Sequence, residues 1–268
     1  MTQDEKRLYK PEEAIFHNDG REERLLEFIR SHPDYDQMHG DPKLILAAID
    51  EYGHKCAFLM NVGSEKGKIV AEKLIPELKP DFMVELGGYL GYSTLLFGSA
   101  LKTTGGRRYL SLEASPKFAA ISRALVQLAG LDDIVEVRVG PCRESLRKLR
   151  QTYPTGVVDV LFIDHAKLEY VNDLKLCEEL NLVGPGTTVI ADNVISPGVP
   201  DYCEYVRTPT SHKIEKVQNE KLSFLNEDSR DRSFGNPYLV YETRLIDSFQ
   251  PTGEKVGFAL VSSKAILY

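Results

Sequence analysis

The sequence predicts an α/β fold built on a mostly parallel sheet, with helices on both faces and an antiparallel edge. Three observations predict it. Five short apolar runs end at Glu85 (FMVE), Glu113 (YLSLE), Gly140 (IVEVRVG), Asp164 (VDVLFID) and Asp192 (TTVIAD), at intervals of 28, 27, 24 and 28 residues. Helix-like stretches fill the gaps, and strands joined by helices at this spacing are βαβ units of a parallel sheet. The runs are almost continuously apolar, as strands covered on both faces are.

Taken in order, residues 1–20 are polar and are expected to be frayed or loosely docked. Residues 21–31 and 42–53 read as amphipathic helices. In the second, Leu44, Ile45, Ala48, Ile49 and Tyr52 recur at helical spacing, and Pro42 suits a first turn. A third helix is expected over 64–78, followed by helices near 92–102, 116–129, 141–152 and 169–182. After Asp192 the pattern changes to three strands, near 213–217, 237–245 and 256–262, without long helices between them. The polar stretch 218–236 reads as a long loop, of the kind that is either functional or disordered. The expected organisation is a polar segment, 1–20, and one domain, 21–268. That domain comprises N-terminal helices (21–78), a βα core (79–193) and C-terminal antiparallel strands (194–268).

Composition narrows the function. The chain has 268 residues, with 33 Lys and Arg against 40 Asp and Glu, a net charge of −7 that argues against a nucleic-acid surface. No apolar run approaches the roughly 18 residues that a membrane helix needs, and the first residues contain no apolar signal-like core. Cys56, Cys142, Cys177 and Cys203 show neither paired nor zinc-binding spacing, so free thiols in a cytoplasmic, reducing setting are expected. Trp is absent.

In open α/β sheets, ligands bind beyond the carboxyl ends of the strands. Glu85, Glu113, Asp164 and Asp192 all fall there. The first strand runs into Glu85-Leu86-Gly87-Gly88-Tyr89-Leu90-Gly91-Tyr92-Ser93, whose glycines permit a sharp turn and close backbone approach to a ligand. The stretch lacks the G-x-G-x-x-G spacing of dinucleotide sites. Glu113, 28 residues after Glu85, suits the hydroxyls of a ribose. Together these features suit a nucleoside cofactor without a pyrophosphate, such as S-adenosylmethionine. Asp164, Asp192 and Asn193 make a hard oxygen set of the kind that holds Mg²⁺, the alternative being that they cap helices. Lys167, three residues after Asp164, is either a solvated charge or a base, a role that burial and a neighbouring cation both favour.

Several ordered motifs together resemble the catechol O-methyltransferase family. They are Met60-Asn61-Val62-Gly63, the glycine loop 85–93, Ala129-Gly130-Leu131, Asp164-His165-Ala166-Lys167, Ala191-Asp192-Asn193-Val194-Ile195-Ser196-Pro197-Gly198, Pro200-Asp201-Tyr202 and Tyr205-Val206-Arg207. The resemblance covers roughly residues 17–217 and, more loosely, the final strands. It implies a Rossmann-like class I methyltransferase fold with a seven-stranded sheet. It also implies a reaction in which S-adenosylmethionine methylates a Mg²⁺-bound vicinal diphenol. By the same resemblance, Met60, Asn61, Val62, Glu85, Gly87, Tyr89 and Ser93 surround the methionine and ribose, and Glu113 holds the ribose hydroxyls. Cys142, Arg143 and His165 lie at the adenine; Asp164, Asp192 and Asn193 hold Mg²⁺; Lys167 is the general base; and Phe58, Met60 and Pro197 line the substrate mouth with Lys167 and Asn193.

The departures concern the substrate. Phe58 and Ala166 stand where family members carry aromatic walls, often Trp. The acid that contacts the second hydroxyl falls at Val240, and Glu242, two residues on along the same strand face, is expected to replace it. A wider or differently gated pocket follows, so larger caffeoyl- or flavonoid-like diphenols are an alternative substrate class. Two other readings are a nicotinamide-dependent oxidoreductase and a non-catalytic binding protein on the same fold. The expected partner is a small diphenol, acting on a monomer or weak homodimer, with neither nucleic acid nor membrane.

Overall fold

Each of the five apolar runs forms a strand, and the stretches between them form helices. The computed structural model describes residues 8–154, 156–223 and 232–265. The helices are α1 (Arg21–Arg30), α2 (Pro42–Lys55), α3 (Gly63–Lys68), α4 (Ile75–Leu78), α5 (Tyr92–Thr103), α6 (Pro116–Leu128), α7 (Cys142–Thr152), α8 (Tyr170–Glu179), α9 (Pro200–Arg207) and α10 (Thr210–Ser223). The strands are β1 (Phe82–Leu86), β2 (Arg108–Glu113), β3 (Val135–Val139), β4 (Val160–Ile163), β5 (Thr188–Ala191), β6 (Leu239–Phe249) and β7 (Lys255–Ala265). A π-helical turn, Ile69–Leu74, links α3 to α4.

Local chemistry explains the helix starts. Asp41 caps α2 by accepting the N–H groups of Lys43 (2.9 Å) and Leu44 (3.3 Å), with Pro42 in the first turn. The helix then buries Ile45, Ala48, Ile49 and Tyr52 of the expected stripe, with Leu46 in place of the half-buried Leu44. Ser115 and Pro116 start α6 in the same manner. Gly91 precedes α5 at φ 94°, a left-handed conformation that glycine adopts without strain, and a Cβ there would stand 2.6 Å from Ser122 Oγ.

The chain forms two units that interleave along the sequence. One comprises residues up to Asp81, Gly88–Val139 and Ser248–Lys255; the other comprises Phe82–Gly87, Gly140–Asp247 and Val256 onward. In the first, β2 and β3 pair in parallel, Tyr109 opposite Val135 through Glu113 opposite Val139. In the second, β1 pairs in parallel with β4, β4 with β5, and β7 joins β5 antiparallel. Leu86, Ile163 and Ala191 are in register, so the residues that follow them, Gly87, Asp164 and Asp192, leave the strands at one edge. The result is a Rossmann-like fold, a mostly parallel five-strand sheet with an antiparallel pair.

One expectation changes, and another resolves to one of its two alternatives. The strand expected at 213–217 is part of α10, which also takes in the first residues of the expected loop 218–236. Burial there falls on Lys213, Ile214, Val217 and Glu220, a helical stripe; the short KIEKV stretch reads as alternation only in isolation. Residues 224–231 of that loop lie outside the described residues. The segment ahead of α1, expected to be frayed or loosely docked, is docked: Tyr9 is buried, although Leu8 and residues 10–15 are exposed. Arg21, buried, draws it in by donating to Glu13, the Ile15 carbonyl and Asp19, and it also donates to the Phe58 carbonyl. These partners are polar side chains and carbonyls, which an apolar pattern does not register.

In the second unit, the buried Glu178 of α8 ties the C-terminal elements together. It accepts the hydroxyls of Tyr205 (2.6 Å) and Tyr241 (2.5 Å) and the Asn236 N–H (2.7 Å). Burial pushes its carboxyl up, and these donors oppose the shift. All four cysteines are free thiols.

Candidate active site

The edge where β1, β4 and β5 end is tightly built. Gly87 sits at φ 91°, and a Cβ there would lie 2.7 Å from the Asp164 carbonyl and 2.9 Å from His165 Cα. Only glycine lets the two strand ends approach so closely. Asp164 follows β4 directly. Asp192 and Asn193 follow β5, with Asn193 in the left-handed region at φ 57°, a conformation that Asn tolerates better than most residues. Lys167 stands on the short turn before α8, and its Nζ donates to Asp164 Oδ1 (3.0 Å), Asn193 Oδ1 (3.1 Å) and the Tyr170 hydroxyl (2.6 Å). Tyr170, buried, donates its hydroxyl to the Asp192 carbonyl (3.2 Å). Burial, reinforced by the charges of Asp164 and Asp192, pushes its phenol well up and keeps it neutral. Leu168, 91% exposed, and Ile195, 49% exposed, stand on the loops carrying Lys167 and Asn193.

A second cluster contains Cys142, His165 and Asp173, whose ligand-capable atoms lie within 4.8 Å of one another. His165 Nε2 is 2.9 Å from Asp173 Oδ2, and Arg143 donates to Asp173 Oδ1 (3.3 Å). The His165 ring stacks on Tyr170 at 5.3 Å and 7°. Burial raises the Asp173 carboxyl, but the hydrogen bonds from His165 and Cys142 and the charge of Arg143 outweigh it, and the net shift is downward. Burial and Asp173 push the Cys142 thiol well up. With sulfur and nitrogen donors and a carboxylate already balanced by Arg143, this cluster does not suit a hard ion.

In the first unit the glycine loop meets β2. Tyr89, at φ 45°, donates its N–H to Glu113 Oε2 (2.8 Å), and Ser115 donates its N–H to Oε1 (2.8 Å). Burial raises the Glu113 carboxyl, and the backbone donors oppose it. The Tyr89 hydroxyl reaches Glu22 Oε1 on α1 (3.2 Å), and its ring meets Phe118 edge-on at 5.1 Å. Asn61, Val62 and Ser93 are buried in this unit, as is Phe58, with Phe16 edge-on against it at 6.2 Å.

The sequence profile of the family described as O-methyltransferase matches residues 40–232. Catechol O-methyltransferase of Bos taurus is 38% identical over 200 residues, spanning 75% of this chain and 71% of that protein. The chain belongs to the catechol O-methyltransferase family. Transmembrane O-methyltransferase of Homo sapiens is 36% identical over 188 residues, 70% of this chain and 62% of that one. The fold matches that of an O-methyltransferase from Bacillus cereus solved in complex with SAH, with a TM-score of 0.56, 23% identity and 94% of each chain covered. The chain is therefore an S-adenosylmethionine-dependent O-methyltransferase enzyme, and the oxidoreductase reading falls away.

For a member of the catechol O-methyltransferase family, the expected residues divide between the units. Met60, Asn61, Val62, Tyr89, Ser93 and Glu113, with Phe58, belong to the first. Glu85, Gly87, Cys142, Arg143, Asp164, His165, Lys167, Asp192, Asn193, Pro197 and Glu242 belong to the second. Glu85 is fully buried on β1, and Glu242 is exposed on β6, alternating with the buried Tyr241. The Asp164, Asp192 and Asn193 set fits Mg²⁺ because its donors are all oxygens and because a cation, the Lys167 ammonium, already bridges two of them. A cavity of about 230 Å³, lined by Lys175, Tyr205, Lys213, Val217 and Phe234 among others, includes none of the expected site residues. Sequence reading missed Tyr170, Asp173 and Glu22. Tyr170 and Asp173 fall at i+3 and i+6 from Lys167, a helical spacing that could have flagged them. Among the described residues, no helix is long and apolar enough to cross a membrane.

Proposed function

We propose that this enzyme methylates one hydroxyl of a vicinal diphenol, with Mg²⁺ held by Asp164, Asp192 and Asn193 and with Lys167 as general base. The observation that carries this reading is the position of Lys167 Nζ, about 3 Å from both Asp164 and Asn193 and bonded to Tyr170. When bound, S-adenosylmethionine supplies an activated methyl group and Mg²⁺ supplies the Lewis acidity that eases loss of the hydroxyl proton. Lys167, as the free amine, takes that proton. The oxygens of Asp164, Asn193 and Tyr170 then stabilise the ammonium it becomes, so the base has its product state built around it. Asn61, Val62, Tyr89, Ser93 and Glu113 hold the methionine and ribose, with Met60, Glu85 and Gly87; Cys142, Arg143 and His165 hold the adenine. Methyl transfer needs little covalent help, so positioning dominates.

The exposed Leu168 and Ile195 supply apolar surface for an aromatic ring, and Phe58, Met60 and Pro197 are the remaining apolar residues of the proposed substrate set. Ala166 and Val240 in place of bulkier or acidic residues favour a ring with larger substituents, Glu242 taking the second hydroxyl. The reading further takes residues 21–268 as one methyltransferase domain, with a seven-stranded sheet covered by helices on both faces. It places the protein in the cytoplasm as a monomer or weak homodimer. The test is a panel of ortho-diphenols of increasing size, assayed with S-adenosylmethionine with and without excess chelator. Methylation that disappears with chelator and returns with Mg²⁺ is the expected result. Undiminished turnover in chelator would remove the metal from the scheme.

A further inference from the structure

The polar segment ahead of α1 holds one residue that reaches a group assigned above to the cofactor. Tyr9 is buried, 6% exposed. Its hydroxyl donates to Asp50 Oδ1 on α2 (2.5 Å) and accepts a hydrogen bond from Asn61 Nδ2 (3.3 Å). The other oxygen of Asp50 accepts the Tyr92 hydroxyl (3.1 Å), one residue before Ser93. A single carboxylate thus steadies both the phenol that holds Asn61 and the start of α5.

The phenol is itself held on three sides. The Tyr9 N–H donates to the Pro251 carbonyl (3.0 Å), in the turn between β6 and β7, and the Lys10 N–H donates to the Gly53 carbonyl (2.9 Å). Its ring lies edge-on to His54 at 5.2 Å and 85°, and rests against Gly53, where a Cβ would stand 2.6 Å from the ring. The same Pro251 abuts the loop from its other end. Gly63, at φ 76°, would place a Cβ 2.5 Å from Pro251 Cγ. The Asn61–Gly63 loop is therefore fixed at one end by the Tyr9 hydroxyl and at the other by Pro251, both tied to the segment ahead of α1. No such role belongs to a frayed leader, and all of these groups lie within one unit.

We propose that Tyr9 is a positioning residue for S-adenosylmethionine, orienting the Asn61 carboxamide so that the segment ahead of α1 is part of the cofactor site. The inference rests on the assignment of Asn61 to the cofactor. Calorimetric titration of the full chain with S-adenosylmethionine tests both. Tyr9→Phe keeps the ring on Gly53 and removes only the hydroxyl. It is expected to weaken binding about threefold to tenfold, the worth of one hydrogen bond. The KM for S-adenosylmethionine should rise with it, while kcat at saturation stays unchanged. Asn61→Ala is expected to weaken binding as well, and adding Tyr9→Phe to it should weaken binding no further, since the two act through one bond. Gly53→Ala, which pushes the ring away, should mimic Tyr9→Phe. Should Tyr9→Phe fail to fold, Asp50→Asn, which loosens the same phenol, replaces it with the same expected result. Losses that simply add in the double variant, or unchanged binding in Tyr9→Phe beside a loss in Asn61→Ala, would overturn the positioning role alone. Unchanged binding in Asn61→Ala would overturn the cofactor assignment and the inference with it.

Discussion

At the end of β2, Glu113 is held by backbone: the N–H groups of Tyr89, in the loop after β1, and of Ser115, each at 2.8 Å. At the ends of β4 and β5 the partners are side chains, with the Lys167 ammonium shared among Asp164, Asn193 and Tyr170. The first arrangement is buried, and its donors cannot change their protonation. The second is partly open, with Lys167 28% and Asp164 18% exposed, and its central group can gain or lose a proton. The difference teaches where recognition and chemistry reside. Fixed backbone donors define a shape, whereas in the proposed reaction Lys167 accepts the substrate proton as the amine and its side-chain partners receive the ammonium so formed.

The sharpest way to break this contrast is Lys167→Ala. It should reduce kcat by roughly 10²- to 10⁴-fold, the range for general acid–base groups, and leave S-adenosylmethionine affinity within about twofold. Turnover and calorimetry on the same preparation check both; comparable losses in each would erase the division of labour. Next comes Gly87→Ala. Its Cβ would meet backbone that cannot yield, the Asp164 carbonyl at 2.7 Å, at a φ of 91°. A loss of about 1–3 kcal/mol in denaturant unfolding is expected, together with reduced turnover as Asp164 shifts. Gly91→Ala should cost less, because the nearest atom it meets is the Ser122 hydroxyl, a side chain that can move. Equal losses at the two glycines would mean that backbone approach is not what distinguishes the strand edge.

The smallest effect concerns the charged network beside Lys167. The Asp173 carboxyl is held below its ordinary value near 3.8. A depressed carboxyl stabilises the fold above its unfolded value, and that contribution is lost as pH falls through the folded one. Wild type should therefore exceed Asp173→Asn in Tm at neutral pH, and the gap should close below about pH 4. A gap that does not change with pH would show that Asp173 acts through packing rather than charge.

Much of the candidate site was legible in the sequence because it lies on short local patterns. Asp164 and Lys167 are three residues apart, Asp192 and Asn193 are adjacent, and the glycine loop follows a strand directly. Each is placed by the end of an apolar run, and parallel register then aligns the ends. The docking of Tyr9 was not legible, because its partners Asp50 and Asn61 lie 41 and 52 residues away, and nothing local distinguishes a docked tyrosine from an exposed one. The helix over 210–223 was misread for a related reason: a five-residue stretch carries too few apolar positions to separate a period of two from one of 3.6.

By itself, then, the sequence determined the succession of strands and helices as far as β5, the edge at which Asp164 and Asp192 emerge and the family to which the chain belongs. These depend on hydrophobic period and on motifs within single turns. The tertiary structure alone decided which oxygens share the Lys167 ammonium, that Asp173 collects His165 and Arg143, and that the segment ahead of α1 joins the Asn61 loop. The physical reason is that a hydrogen bond depends on separations of about 3 Å in space, whatever the distance along the chain.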